Sequence, residues 1–346
     1  MTSIDPEASV ESRDRSGRAM AGGLPKRWRL TLAIAFASLV LFAISLGIGP
    51  DGLGLPADAN ARRLILLEIR LPRAVLGFLI GGTLGLCGAV LQGYLRNPLA
   101  EPGLLGVSGG ASLGAVVAIH SGVAGAFALA LPLGGLLGAG AATIAVVLLA
   151  GERSAPISLI LAGVAISSLA AALTALALNL APNPFASVEI LYWMMGSLSD
   201  RSLLHVWIAA PLMLAGTALL LWTGPSLDAL TLGEDAAQNL GVDPTRLRRV
   251  IVAGVSLGVG AATAVAGSIG FVGLVVPHLL RPLAGFEPRR LLAPSFFGGA
   301  ALVLAADVAV RIVSPSGDIK LGVVTALVGA PFFLWLVVAT RRELVR

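Results

Sequence analysis

About ten apolar stretches, each near the roughly twenty residues that an α-helix needs to cross a hydrocarbon core, recur along the 346-residue chain. They run approximately over 30–48, 74–93, 104–119, 127–149, 157–180, 203–223, 250–266, 271–283, 292–313 and 321–340. With 56% hydrophobic residues, 12% charged residues and a mean hydropathy of +0.91, the chain carries more apolar surface than one water-soluble core can hide. The expected fold class is therefore an all-α polytopic membrane protein of about ten transmembrane helices. Its 43 glycines fit that class, because small residues let helix backbones approach closely where lipid removes the usual hydrophobic drive.

An isoelectric point near 10.3 raises the question of nucleic acid, but the placement of the bases answers it otherwise. With the N-terminus in the cytoplasm, 17 of the 24 lysines and arginines fall on the cytoplasmic side, as the positive-inside rule requires. Both termini are then cytoplasmic, and no nucleic-acid partner is implied. Residues 1–29 are polar and read as a disordered cytoplasmic tail; 30–346 read as one transmembrane domain whose first span lacks a cleavage site. Cys87 is the sole cysteine and there are three histidines, so neither a disulfide framework nor a cysteine metal site is expected.

One polar interruption stands out. Between two apolar spans, residues 228–242 hold enough chain for two short helices, with Gly233 and Gly241 as breaks and Asp243-Pro244 as the start of the next span. Leu232, Ala236, Ala237 and Leu240 fall at helical spacing and offer a small apolar face to another protein, although an ordinary amphipathic loop would carry the same pattern. Between spans two and three, Pro98 and Pro102 forbid a continuous helix, and Asn97 and Glu101 fall at the cytoplasmic mouth, as a gate, a partner contact or a plain hairpin. Outside lie Glu68, Arg70 and Arg73, with Asp307 and Arg311 four residues apart on one helix face and able to pair. Such arginines can dock carboxylates of a partner or snorkel to headgroups. Tyr192 and Trp193 fit an interfacial aromatic belt.

Residues 106–110 match the hydrolase pattern G-x-S-x-G around Ser108, and His278 is a candidate base, so an intramembrane serine protease is one alternative. The pattern lacks its strand-to-helix elbow. No phosphate-binding loop is present, so the chain cannot hydrolyse ATP by that route, and no run of buried Asp, Glu and His suggests an ion-coupled carrier working alone.

In combination, RLPR at 70–73, LRNPLAEPGLLGVSGGASLGA at 95–115, YWMMGSLSD at 192–200, LGEDAAQNLGV at 232–242, GSIGFVGLVVPHLLR at 267–281 and GVVTALVGAPFFLWL at 322–336 resemble the FecCD-type permease subunit of type II ABC importers. Those importers take up ferric siderophores, haem and cobalamin. The resemblance implies a ten-span inner-membrane permease that pairs with a second copy of itself around a central path. Two cytoplasmic ATP-binding subunits, which hold the ATP and Mg, and a periplasmic binding protein complete the assembly. It implies no catalytic residue, cofactor or metal on this chain. Residues Leu232, Gly233, Glu234, Ala236, Ala237, Leu240 and Gly241 become the coupling elbow; Arg70, Arg73 and Arg311 become docking residues for glutamates of the binding protein; and Asn97 and Pro98 become cytoplasmic gate candidates. An inverted repeat of spans two to five and seven to ten is also implied. The expected cargo is a ferric siderophore, with haem or cobalamin as alternatives. The chain departs from the family pattern at Lys320, where a proline is usual, and in the loop GERSAPISL, so no gate role passes to Ser154 or Ser158.

Overall fold

The computed structural model describes residues 26–49, 52–54, 58–151, 156–314 and 319–344. Most of the tail expected at 1–29, together with Arg153, Ser154 and Asp318, lies outside the described residues. Helix α1 (Lys26–Gly47) already begins inside the expected tail and ends in a two-residue hairpin, β1 (Ile48–Gly49) against β2 (Gly52–Leu53). Next comes one rod of 36 residues: α2 (Ala59–Leu64), a π-helical stretch (Ile65–Arg70) and α3 (Leu71–Tyr94). A proline turn and a 3-10 turn (Pro102–Leu105) lead to α4 (Val107–His120), α5 (Val123–Ala126), α6 (Ala130–Ala150) and α7 (Pro156–Asn179). The second half holds α8 (Pro184–Met194), α9 (Leu203–Trp222), the short pair α10 (Gly224–Leu230) and α11 (Glu234–Asn239), then α12 (Pro244–Ala266), α13 (Val272–Leu280), α14 (Pro288–Val313) and α15 (Leu321–Leu344).

Among the described residues, eight helices are long and apolar enough to cross a membrane. The expected third and eighth spans are the shorter α4 and α13, of 14 and 9 residues, which brings the set to about ten. Both are short for the same reason: the chain unwinds before them. Pro98 and Pro102 break the path ahead of α4, and Gly267 to Gly270 break it ahead of α13, where Phe271 adopts a left-handed φ of 67°. Each half thus carries a long, mostly buried helix (α3, α12) followed by a break and a short one, an arrangement of the kind an inverted repeat produces.

Helix contacts are made by small residues. Gly81 and Gly85 of α3 lie against the backbone at Gly299 and Ser295 of α14, and Gly110 and Gly114 of α4 meet Gly138 and Gly134 of α6. A Cβ at any of these glycines would strike backbone of the facing helix, so dispersion between close backbones holds the bundle where lipid offers no hydrophobic gain. The apolar side chains of α6, α7, α9 and α15 that face outward, among them Leu137, Leu148, Leu161, Trp207 and Leu334, are those a bilayer would cover.

Candidate functional site

At one end of the bundle three arginines converge. Asp307, 1% exposed at its side chain, takes a bidentate pair from Arg73 (2.9–3.1 Å) and a second ion pair from Arg311 (2.8 Å), the i,i+4 partner anticipated from spacing. Arg311 also donates to the carbonyls of Ser45 (2.8 Å) and Ile48 (2.7 Å) and to the Ser45 hydroxyl. Arg70 is the buried residue of the π-helical stretch, and its guanidinium donates to the carbonyls of Leu46, Gly47 and Gly54 at 2.9–3.0 Å. Carbonyls at the C-terminal end of α1 have no intrahelical partner, and arginine satisfies both their valence and their partial negative charge. Arg70 and Arg311 are buried and turned inward as staples, and Arg73 keeps 15% of its side chain exposed. Among the described residues the cluster holds three cations against one carboxylate, and Arg311 Nε lacks a hydrogen-bond partner. Glu68 is exposed and outside it.

At the opposite end lies the polar elbow. Asp228 of α10 accepts from the backbone N–H of Arg289 (2.9 Å), so it caps the first turn of α14, and Asp243 caps α12 through the N–H groups of Thr245 and Arg246 (2.8 and 3.1 Å). Arg248 reaches the Gly151 carbonyl, and the Arg246 guanidinium lies over the Trp222 ring, 5.1 Å from its centroid. Gly233 and Gly241 sit at φ 108° and 88° with open space around them, so glycine is needed there for backbone conformation. On this anchored frame Leu232 and Leu240 stand 68% and 65% exposed, flanked by exposed Glu234 and Asp235. The expected apolar face needs one correction. Ala237 is buried, because α11 turns that side onto its own core, and Ala236 is half-buried.

Between the two ends the two chain breaks cross. Glu101 accepts from the Phe271 N–H at 2.6 Å, meeting a donor that the left-handed turn would otherwise leave unpaired. Burial pushes its carboxyl above the usual range, and that hydrogen bond pulls it back. Gln92 Nε2 lies within reach of the Ala100, Gly273 and Leu274 carbonyls (3.2–3.4 Å), while its Oε1 accepts from Arg281 at 2.7 Å. Asn97 is exposed and its Oδ1 accepts from the Leu99 N–H (2.9 Å), an Asx turn around Pro98. An apolar cavity of about 650 Å3 opens beside this crossing, between the end of α8, Phe271 and α15.

A sequence profile of the FecCD transport family matches residues 30–339. The chain belongs to the FecCD transport family. It is 38% identical over 319 residues to the vitamin B12 import system permease protein BtuC of Vibrio vulnificus, covering 90% of this chain and 95% of that one. It is 37% identical over 332 residues to the cobalamin import system permease protein BtuC of Halobacterium salinarum, covering 95% and 84%. Among solved structures, an inward-facing metal-chelate type ABC transporter superposes with a TM-score of 0.82 at 31% identity, over 90% of this chain and 99% of that one. This FecCD chain is accordingly a multi-span ABC importer permease.

The protease alternative finds no support in this FecCD permease. Ser108 lies in the first turn of a plain helix, and His278 stands edge-on to Phe332 (5.7 Å between centroids) with a buried Nδ1 that has no hydrogen-bond partner among the described residues. Trp193, expected in an aromatic belt, is buried, since α8 folds it and Ile190 onto Ala115, Val116 and Ile119 of α4. Tyr192 is exposed and carries Lys320 Nζ 5.0 Å from its ring centroid. Asp228, Gln92 and the Arg73–Asp307 pair escaped the reading from sequence. Each is tied to a partner at least 61 residues away, at a separation that no local pattern reports.

Proposed function

We propose that this chain is the permease subunit of an ATP-driven importer that carries a corrinoid, cobalamin or a close relative, from a periplasmic binding protein to the cytoplasm. The observation that carries the reading is the similarity, over nine-tenths of the chain, to permeases named for vitamin B12. This takes the place of the ferric siderophore as cargo; a corrinoid is itself a metal chelate, in keeping with the solved relative. Two copies form the path in the bacterial inner membrane, with both termini cytoplasmic. Two ATP-binding subunits, which hold ATP and Mg, sit against the elbow. Leu232 and Leu240 are the knobs that enter the ATPase, Glu234 gives them a charged border, and Gly233 and Gly241 set the angle of α11, with Ala236 and Ala237 as its footing. Docking of the binding protein falls to the arginine cluster, where the excess positive charge and the exposed edge of Arg73 suit a glutamate; Arg70 and Arg311 hold the ledge. Asn97 and Pro98 form the turn at the cytoplasmic mouth and act in its gating.

Alternating access then needs only that the ATPase pair, on closing, pull the elbows and so tilt α12 and α14, whose N-termini the elbow caps. Uptake of labelled cobalamin by vesicles holding the complete transporter, in competition with haem and a ferric siderophore, tests the cargo. The expected result is competition by corrinoids alone; competition by the siderophore alone would return the cargo to the iron chelates. Replacing Glu234 and Leu240 together is expected to abolish uptake while the ATPase subunits keep their basal hydrolysis.

A further inference from the structure

At the elbow end of the bundle a hollow of about 400 Å3 lies between the start of α1, the elbow and the start of α14. Trp28 and Thr31 line it from α1, Asp228 from α10, and Glu287, Arg289 and Arg290 from the turn into α14. On both spans it sits at the boundary between charge and hydrocarbon, since the apolar run of α1 begins at Leu30 and that of α14 at Leu291. Trp28 stands 53% exposed at that level, where an indole is at home among headgroups. Of the eight long spans among the described residues α1 is the least buried, so this side of the bundle is turned to lipid. Phe286, next in sequence to Glu287, is exposed as well.

The charges of the hollow are of both signs and unequally engaged. Asp228 accepts from the Arg289 N–H (2.9 Å), and Glu287 pairs with Arg290 (2.5 Å). A carboxylate offers about four lone-pair sites, so one bond leaves each acid able to accept from an ammonium. The Arg289 guanidinium has no hydrogen-bond or ion-pair partner among the described residues, and its stem lies along Gly224, where an added Cβ would strike it. Two cations and two anions sum to no net charge, which disfavours a purely anionic ligand and fits one that carries both signs side by side. We propose that the hollow binds the headgroup of a phosphatidylethanolamine from the leaflet on the elbow side: Arg289 takes the phosphate, and the carboxylates of Asp228 and Glu287 take the primary ammonium. Charged pockets between spans are a general device for holding headgroups. Here the two acids add selectivity, because an ammonium with three N–H donors satisfies them and a quaternary one has none to give. As Asp228 belongs to the elbow and Trp28 to α1, the lipid bridges the elbow to the most lipid-exposed span. The site does not depend on which cargo the importer carries.

The test is lipid binding by the purified full-length permease in detergent, titrated with phosphatidylethanolamine, phosphatidylcholine and phosphatidylglycerol of the same acyl chains and counted by mass spectrometry of the intact protein. Phosphatidylethanolamine is expected to bind about tenfold more tightly than either other lipid, the scale of one charge-assisted hydrogen bond. Arg289→Gln should weaken all three, and Arg289→Lys should restore most of the loss. Asp228→Asn, which keeps an acceptor for the Arg289 N–H, combined with Glu287→Gln should bring phosphatidylethanolamine to within about twofold of phosphatidylcholine. Equal binding of the three lipids by the wild type would reduce the hollow to ordinary annular contact. A preference for phosphatidylglycerol would make it a site for net negative charge, and a preference for phosphatidylethanolamine that survives the acid variants would place the ammonium elsewhere. Each of these overturns the proposal, as does loss of the preference when the ATP-binding subunits assemble, which would assign the hollow to them. None of them bears on the corrinoid reading.

Discussion

The arginine cluster and the elbow, the two places proposed above to meet soluble partners, are made in opposite ways. At the cluster, charges are buried or partly buried and already engaged: Arg70 on three carbonyls, Arg73 and Arg311 on Asp307. At the elbow, leucines stand in the open and the charges are spent on caps and borders. The cost of desolvation explains the contrast. A cation near the hydrocarbon edge must carry its own counter-charge and acceptors even before a partner arrives, whereas an apolar knob outside the bilayer costs little until a partner covers it. Removing a group from the cluster should therefore damage the fold, and removing one from the elbow should damage only the work the fold does.

That contrast can be broken by measuring unfolding of the purified permease in detergent. Asp307→Ala leaves the buried Arg311 and the partly exposed Arg73 without their carboxylate and should cost about 3–5 kcal/mol, enough to lower yield sharply. Arg70→Ala removes three charge-assisted bonds to the end of α1 and the hairpin, and a loss of about 1.5–3 kcal/mol is expected, with faster proteolysis near residues 48–54. Asp228→Ala uncaps α14 and should cost about 1 kcal/mol, placing it between the two regions because it lies in the elbow yet serves a span. Leu232→Asp with Leu240→Asp should shift stability by less than about 0.5 kcal/mol while uptake is lost. Should the leucine pair unfold the protein, or Asp307→Ala leave it as stable as before, the division drawn here would fall.

The crossing between the ends sharpens the same point. Glu101 was legible as a residue near a proline turn and Gln92 was not, and their partners Phe271 and Arg281 belong to the other half of the chain. Glu101→Gln keeps an acceptor for the Phe271 N–H and should be mild, while Glu101→Ala strands that donor at a cost of about 1–3 kcal/mol. Asp307 and Arg311 were readable as a pair because helix periodicity brings residues four apart together; Arg73, 234 positions from Asp307, was readable only as a nearby cation. Tyr192 and Trp193 are neighbours of the same chemical type that took opposite environments, and a short apolar helix gives no period strong enough to say which side faces in.

Length and hydropathy, counted residue by residue, were enough to establish a bundle of about ten spans, the polar elbow and its two glycine breaks, since a span must be long enough to cross lipid and a charged stretch must leave it. Which arginines are staples, which leucines stand exposed and which alanine turns inward came from the packed helices. Those facts depend on what lies opposite each side chain, and in this bundle the opposite surface is set by backbones meeting at glycines scattered over the whole chain.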